Sequence, residues 1–260
     1  MRIVVDAMGS DDRPGPDVGG AVLAAREMPA TLILVGDEAQ VRAELAKHDT
    51  AGLSLEVVHA GQAIEMTDGP TEAAKEKRDS SMHVGLGLVQ RGEADAFVTM
   101  GNTGAVLTIA TLFTLRRIRG VKRPALTAIF PHAAGRVVAA DIGANADARP
   151  EHLAQFAVMA NAYARLAMGI NQPRVALLSN GEEEGKGNEL VKETIPFMRE
   201  LEGVNYIGNV EPKEVLNGAT DVVIHDGFTG NIFIKSIEAA AGMVSKLLRD
   251  EITAGVVTSV

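Results

Sequence analysis

Polar, glycine-bearing turns carry most of the residues able to do chemistry: DAMGSD (6–11), GNTGA (101–105), DIGAN (141–145), NGEEEGKGN (180–188) and DGFTGN (226–231). In GNTGA, Asn102, Thr103 and Gly104 lie where a strand hands over to a helix. Free backbone N–H groups and the positive end of a helix dipole can face an anion there, and phosphate is the natural guest. The same residues equally make a tight turn with Asn or Thr as helix cap. DIGAN offers the same chemistry through Gly143 and Asn145, with Asp141 at the strand end. Lys186 stands between two glycines ahead of a helix start, a position suited to neutralising a phosphate oxygen or a developing oxyanion. Its plainer reading is a solvated lysine offsetting Glu182, Glu183 and Glu184.

Other chemistries are excluded by what these turns lack. NGEEEGKGN is not a nucleotide phosphate loop, because three residues separate Gly181 from Gly185 and Gly187 stands where Ser or Thr is required. The run GLGLVQ (85–90) lacks the last glycine of a dinucleotide fingerprint and falls inside a helical pattern. No G-x-S-x-G elbow and no cysteine is present, so a covalent acyl-enzyme has no obvious carrier. An acyl transfer would therefore use the acceptor itself as nucleophile. The three glutamates and the histidines show no metal-ligand spacing, and His225 beside Asp226 offers only a general-base candidate.

The elements that must position these turns are apolar, β-branched runs alternating with helical patterns. Strands are expected at Arg2–Val5, Thr31–Val35, Leu55–Val58, Ala96–Thr99, Val137–Ala140, Arg174–Leu178 and Asp221–Ile224, and Leu126–Phe130 pairs with Arg136–Ala140 as a hairpin. Helices are expected at Asp17–Arg26, Glu38–Lys47, Ser80–Gln90, Thr103–Leu115, Glu151–Met168, Asn188–Leu201 and Gly230–Arg249. This alternation implies βαβ units and a mainly parallel sheet with helices on both faces, a three-layer α/β/α architecture. In such sheets ligands bind beyond the carboxyl ends of the strands, so the turns are expected to gather at one crevice.

The chain of 260 residues is 46% hydrophobic, enough to bury a substantial core as a single α/β catalytic domain or as two lobes sharing one sheet. A net charge of −9 disfavours nucleic-acid binding, and the lack of cysteine fits a reducing compartment. The start MRIVVDAMG reads as a first strand rather than a signal peptide. Ala96–Leu115 has no charge, but the GNTG turn inside it argues for a buried strand, a loop and a buried helix rather than a membrane span. Against the acidic background, Arg116, Arg117, Arg119, Lys122 and Arg123 form a basic run. They complement the dipole of the preceding helix, or they dock an acidic carrier protein. The last helix carries an apolar stripe at Phe233, Ile237, Ala240, Val244 and Leu247 that reads chiefly as core.

Read in order, DAMGSD, KRDSSM (77–82), GEADAFVTMGNTGA (92–105), RPALTAIFP (123–131), DIGAN, RPEHLAQFA (149–157), GEEEGKGNEL (181–190), GNVE (208–211) and DGFTGNIFIK (226–235) resemble the acyl-ACP:phosphate acyltransferases, the PlsX family. The resemblance implies a fold similar to that of isocitrate and isopropylmalate dehydrogenases and phosphotransacetylases, a homodimer, and no organic cofactor or metal. It implies transfer of a long-chain acyl group from acyl carrier protein to inorganic phosphate, with the acyl phosphate consumed by a membrane glycerol-3-phosphate acyltransferase. A cytoplasmic protein with peripheral membrane association is expected. On this reading Asn102, Thr103, Gly104, Gly143, Asn145, Ser80 and Ser81 cradle phosphate. Lys186 neutralises it, and Asn231 with Asn188 stabilises the oxyanion on the thioester carbon. Two departures stand out: Ser10 occupies a position that is usually glycine, and the family's further C-terminal motifs, a GGAPLLG-like and an HGS-like segment, do not occur in the sequence.

Overall fold

The computed structural model describes residues 1–132 and 134–257. It divides into two compact units, Met1–Arg119 and Gly120–Val260.

The first unit comprises β1 (Arg2–Asp6), α1 (Gly15–Glu27), β2 (Thr31–Gly36), α2 (Glu38–Leu45), β3 (Leu55–His59), α3 (Pro70–Glu76), α4 (Ser81–Gln90), β4 (Ala96–Val98) and α5 (Thr103–Thr108). Its sheet has the order β3-β2-β1-β4, and every pair is parallel. Period-two alternation along β2 shows why the strand is apolar throughout. Leu32 and Leu34 meet Val18 and Ala21 of α1 and Val41 of α2, whereas Ile33 and Val35 join Val4 and Leu88 on the opposite face.

The second unit comprises β5 (Thr127–His132), β6 (Gly135–Ala140), α6 (Pro150–Ala167), β7 (Arg174–Leu178), α7 (Glu189–Arg199), β8 (Asn205–Val210), α8 (Pro212–Leu216), β9 (Val222–Ile224) and α9 (Gly227–Val257). The sheet order is β5-β6-β9-β7-β8, antiparallel only at β5–β6. Leu153, Phe156, Ala157 and Ala160 of α6 pack with Ile195 and Met198 of α7 on one face, over Val138, Val175, Leu177 and Ile224. Val137, Ala139, Ala176 and Val223 face the other way, toward Val215 of α8 and Phe233 of α9. Each unit is thus a helix–sheet–helix sandwich, the three-layer class expected from the strand and helix alternation.

The strands form two sheets, where the sequence reading allows two lobes to share one. The hairpin is present with Thr127 opposite Ala140, and Ala133, within its expected turn, lies outside the described residues. The helix expected over 103–115 is α-helical only to Thr108 and continues as a π-helical turn, Ile109–Phe113. Thr108 and Thr111 donate their hydroxyls to the carbonyls of Gly104 and Leu107, both at 2.7 Å, a side-chain competition that distorts a helix. Leu112 and Leu115 are exposed, so the burial expected for this segment ends before its last turn. No helix among the described residues is long and apolar enough to cross a membrane.

The GLGL run is explained by packing. A Cβ added at Gly85 would lie 2.4 Å from the Phe97 ring and 3.0 Å from Val4, so α4 rests on β1 and β4 through a bare backbone. Gly85→Ala is expected to cost about 1–3 kcal/mol through overpacking, read as a lower urea midpoint at unchanged slope.

Candidate functional site

In the first unit the turns after β1 and β4 meet around Asp6. This buried carboxylate accepts hydrogen bonds from the Met8 N–H at 3.0 Å and the Thr99 hydroxyl at 2.7 Å. Burial pushes its pKa up, opposed by hydrogen bonds from the Ser81 and Thr99 hydroxyls. Asn102 caps α5, accepting from the Ala105 N–H at 3.0 Å, while its side-chain amide donates to the carbonyl of Asp68 at 3.1 Å. Ser80 caps α4 through the His83 N–H at 3.4 Å. The sequence reading gives Asn102, Ser80 and Ser81 to phosphate. In the structure Asn102 and Ser80 cap helices, and Ser81 hydrogen-bonds Asp6. Thr103 is exposed, and Gly104 is required by contact, since a Cβ there would come within 2.8 Å of Pro70.

The second unit is organised around Asp141, fully buried at the end of β6. Its carboxylate accepts from the N–H groups of Leu126 at 3.0 Å, Gly143 at 3.1 Å, Ala144 at 3.0 Å and Asn145 at 2.7 Å, and from the Asn145 side-chain amide at 2.7 Å. A buried anion is tolerated when several donors surround it. The N–H groups of Gly143 and Asn145, which the sequence reading gives to phosphate, turn inward to Asp141, and the Asn145 side-chain amide also donates to the Pro124 carbonyl at 2.8 Å.

Helix α9 starts directly on this turn. The Gly227 N–H donates to the Asn145 carbonyl at 2.8 Å, and Asp226 accepts from both the N–H and the hydroxyl of Thr229 at 2.8 Å. A Cβ at Gly230 would sit 2.2 Å from the Asp141 carbonyl and 2.2 Å from His225 Nδ1. Both glycines thus serve close approach rather than a loop, which is why the helix begins earlier than its sequence pattern suggests.

His225 is buried beneath α9, with Nδ1 at 2.9 Å from the Asp141 carbonyl and 3.3 Å from that of Asp226, and no partner for Nε2 among the described residues. Burial lowers its pKa, against the opposing pull of the two carbonyls. His225 lines a cavity of about 1250 Å³ with Leu178, Ser179, Asn188, Val191, Leu216 and the inner face of α9, from Thr229 through Phe233, Ile237 and Ala241 to Val244. Ser179 Oγ is likewise buried without a partner. The polar atoms cluster where β7 and β9 end, and the remaining wall is largely aliphatic.

Of the residues assigned catalysis from sequence, Asn188 lines this cavity while capping α7 through the Val191 N–H at 2.9 Å. Lys186 is exposed, its stem over Gly181, next to cavity-lining Gly187. Asn231 is exposed on α9 and is not among the cavity residues. Arg116, Arg117, Arg119, Lys122 and Arg123 are exposed, with exposed Leu115 just ahead of them and Ile118 among them. Lys122 pairs with Glu151 at 3.4 Å. No metal-holding cluster occurs among the described residues, and the unpartnered Ser179 hydroxyl escapes the sequence reading.

The fold is that of the phosphotransacylases. It matches a phosphotransacetylase from Streptococcus pyogenes with TM-score 0.70 at 21% identity, over 94% of this chain and 82% of that one. The EutD phosphotransacetylase from Staphylococcus aureus gives 0.66 at 20% identity, over 93% and 82%. The family model described as "Fatty acid synthesis protein" matches residues 1–259. Phosphate acyltransferases from Geobacter sp. (strain M21) and Herpetosiphon aurantiacus are 48% and 49% identical, over 97% and 98% of this chain and 71% and 69% of their own lengths. The chain belongs to this family of acyltransferases, the PlsX family, and spans about seven-tenths of the length of these relatives.

The depressed pKa of His225 fixes a direction for stability against pH. The unfolded chain takes up the proton first as pH falls below the ordinary value of 6.5. The contribution is therefore intact above 6.5 and is lost as pH falls toward the folded value. His83 and His152, also depressed by burial, add to the same slope. His225→Asn is expected to flatten this dependence between about pH 5 and 6.5 in urea titrations; an unchanged slope would refute the assignment.

Proposed function

We propose that the protein transfers a long-chain fatty acyl group from acyl carrier protein to inorganic phosphate, giving acyl phosphate for phosphatidic acid synthesis. The cavity carries this reading: a largely aliphatic wall along α9 with polar groups gathered at one end suits an acyl chain whose thioester stays among hydrogen-bonding groups. From Thr229 to Val244 the helix offers roughly 22 Å of wall, at about 1.5 Å per residue, a length suited to a long chain rather than an acetyl group. The names of the relatives supply the acceptor, phosphate.

Phosphate is itself a nucleophile and a thiolate is a good leaving group, so the protein's task is placement and charge stabilisation. On this reading exposed Lys186 neutralises phosphate beside the cavity, and Asn188, with Asn231 from the outer side of α9, steadies the oxyanion. The basic run Arg116–Arg123 meets the acidic carrier, with Leu115 and Ile118 as apolar contacts. No organic cofactor takes part. The protein works as a cytoplasmic homodimer that meets the membrane surface peripherally, where a glycerol-3-phosphate acyltransferase consumes the product.

Incubation with palmitoyl carrier protein and phosphate, followed by hydroxylamine, is expected to yield palmitoyl hydroxamate. Product from acetyl-CoA alone would favour a short-chain phosphotransacetylase, and carrier binding without product a non-catalytic scaffold. Lys186→Ala is expected to lower turnover about a hundred-fold with the fold retained. Ala241→Phe, which narrows the cavity, is expected to depress palmitoyl transfer about ten-fold more than octanoyl transfer; equal effects on both chains would place the acyl group elsewhere.

A further inference from the structure

We infer that Asn209 is a positioning residue for the reaction: it holds the turn that presents Lys186 to phosphate. The inference rests on the acyl-to-phosphate reading above, and on the place of Lys186 in it.

The segment GNVE (208–211) carries the observation. Tyr206 pairs with Val175 and Gly208 with Ala176, so Ile207 is the extra residue of a bulge, and Gly208 follows at φ 106°. Such a slip changes the face that the next side chains take. The next residue is Asn209, buried opposite Leu177. Its Nδ2 donates to the carbonyl of Glu183 at 3.2 Å, and the amide orientation follows from that partner, because a carbonyl only accepts. The Lys186 N–H donates to the same carbonyl at 2.9 Å. One oxygen therefore closes the turn over 183–186 and anchors it to the sheet. Oδ1 of Asn209 is buried with no partner among the described residues. A half-satisfied buried amide costs stability, so stability alone gives this side chain no reason to be polar.

Two further contacts give the turn its aim. The Gly187 N–H donates to Asn180 Oδ1 at 2.9 Å and closes the base of the loop, whose Asn180, Gly187 and Asn188 line the cavity. The Lys186 stem lies across buried Gly181, where an added Cβ would come within 2.6 Å of Lys186 Cγ and 3.1 Å of Cδ. Held through its N–H by the turn and along its stem by bare backbone, the lysine has less freedom to lose when it engages an anion. The Arg199–Glu184 pair also ties the loop, to α7, but a pair exposed on both sides contributes little.

The test uses Asn209→Leu, which is close to isosteric and removes the donor together with the unpartnered oxygen. Its urea midpoint is expected to be unchanged or higher. With palmitoyl carrier protein as donor, kcat/KM for phosphate is expected to fall about tenfold while KM for the carrier thioester stays within about twofold. Gly181→Ala, which displaces the stem, is expected to lose about the same. In a Lys186→Ala background neither substitution is expected to lower kcat/KM for phosphate further, because the group they position is gone. A fall of less than about twofold in Asn209→Leu, while Lys186→Ala loses about a hundred-fold, overturns the inference and leaves the reading of Lys186 standing. A fall that persists in full without Lys186, or that moves both KM values alike, overturns it as well, since the loss is then structural. If the unsubstituted protein forms no acyl phosphate, or Lys186→Ala turns over normally, the reading itself falls and the inference with it.

Discussion

The second unit depends on one buried carboxylate. Asp141 gathers N–H groups from Leu126, Gly143, Ala144 and Asn145 and the Asn145 side chain, and so ties the residue that enters the hairpin to the turn that leaves it. No cation is needed. Its charge is spread over short, convergent hydrogen bonds in a region that excludes water, where each is worth more than at a surface. Everything at the polar end of the cavity leans on that knot: the Asn145 carbonyl receives the first N–H of α9, and the Asp141 carbonyl receives His225. Two glycines let the helix approach closely enough for both contacts. An anion held by the same N–H groups would compete with Asp141 for them.

The wall that results has two characters along one helix. Near its start α9 is bound to the sheet by Asp226, Gly227 and Gly230, and Phe233 packs edge-on to the rings of His225 and Phe130, with centroids 6.3 and 5.9 Å apart. Farther along, the same face lines the cavity with Ile237, Ala240, Ala241 and Val244. Rigidity where a thioester would react and a plain aliphatic wall where a chain would lie follow from a single helical stripe. The stripe reads from sequence as core, and Phe233 is core. Beyond it, the same spacing faces an unfilled volume. Periodicity finds the face but cannot say what covers it.

Much of the architecture is legible because strands covered on both faces are apolar along their middles, as residues 3–5 of β1, 32–35 of β2 and 175–178 of β7 are. Strand β8 was missed for the opposite reason. It lies at the edge, carries Asn205 and Asn209, and turns through Gly208 at φ 106° beside a bulge in its pairing with β7. Helix α3 hides because its buried residues are only Ala73 and Ala74, too small for a visible apolar rhythm. At the site, sequence names the turns but not the partners of their side chains. Asn102 and Asn145 have the residue type that either caps or binds, and their side-chain amides meet carbonyls far away in the chain, Asp68 for Asn102 and Pro124 for Asn145. His225 is the converse case, since its tautomer is set by a carbonyl 84 positions away.

That non-local control bears on how acyl transfer works without a covalent carrier. With no cysteine in the chain, the reading of direct attack by the acceptor leaves the protein to orient it and balance its charge. Orientation and charge can come from exposed groups such as Lys186. A histidine at the surface would be charged or neutral according to the medium and free to turn; His225 is buried. Burial removes the first freedom by disfavouring the imidazolium, and the carbonyls of Asp141 and Asp226 remove the second by holding Nδ1. The Asp141 knot is therefore more than a fold device. It fixes the position of the nearer of the two carbonyls that hold Nδ1 of His225.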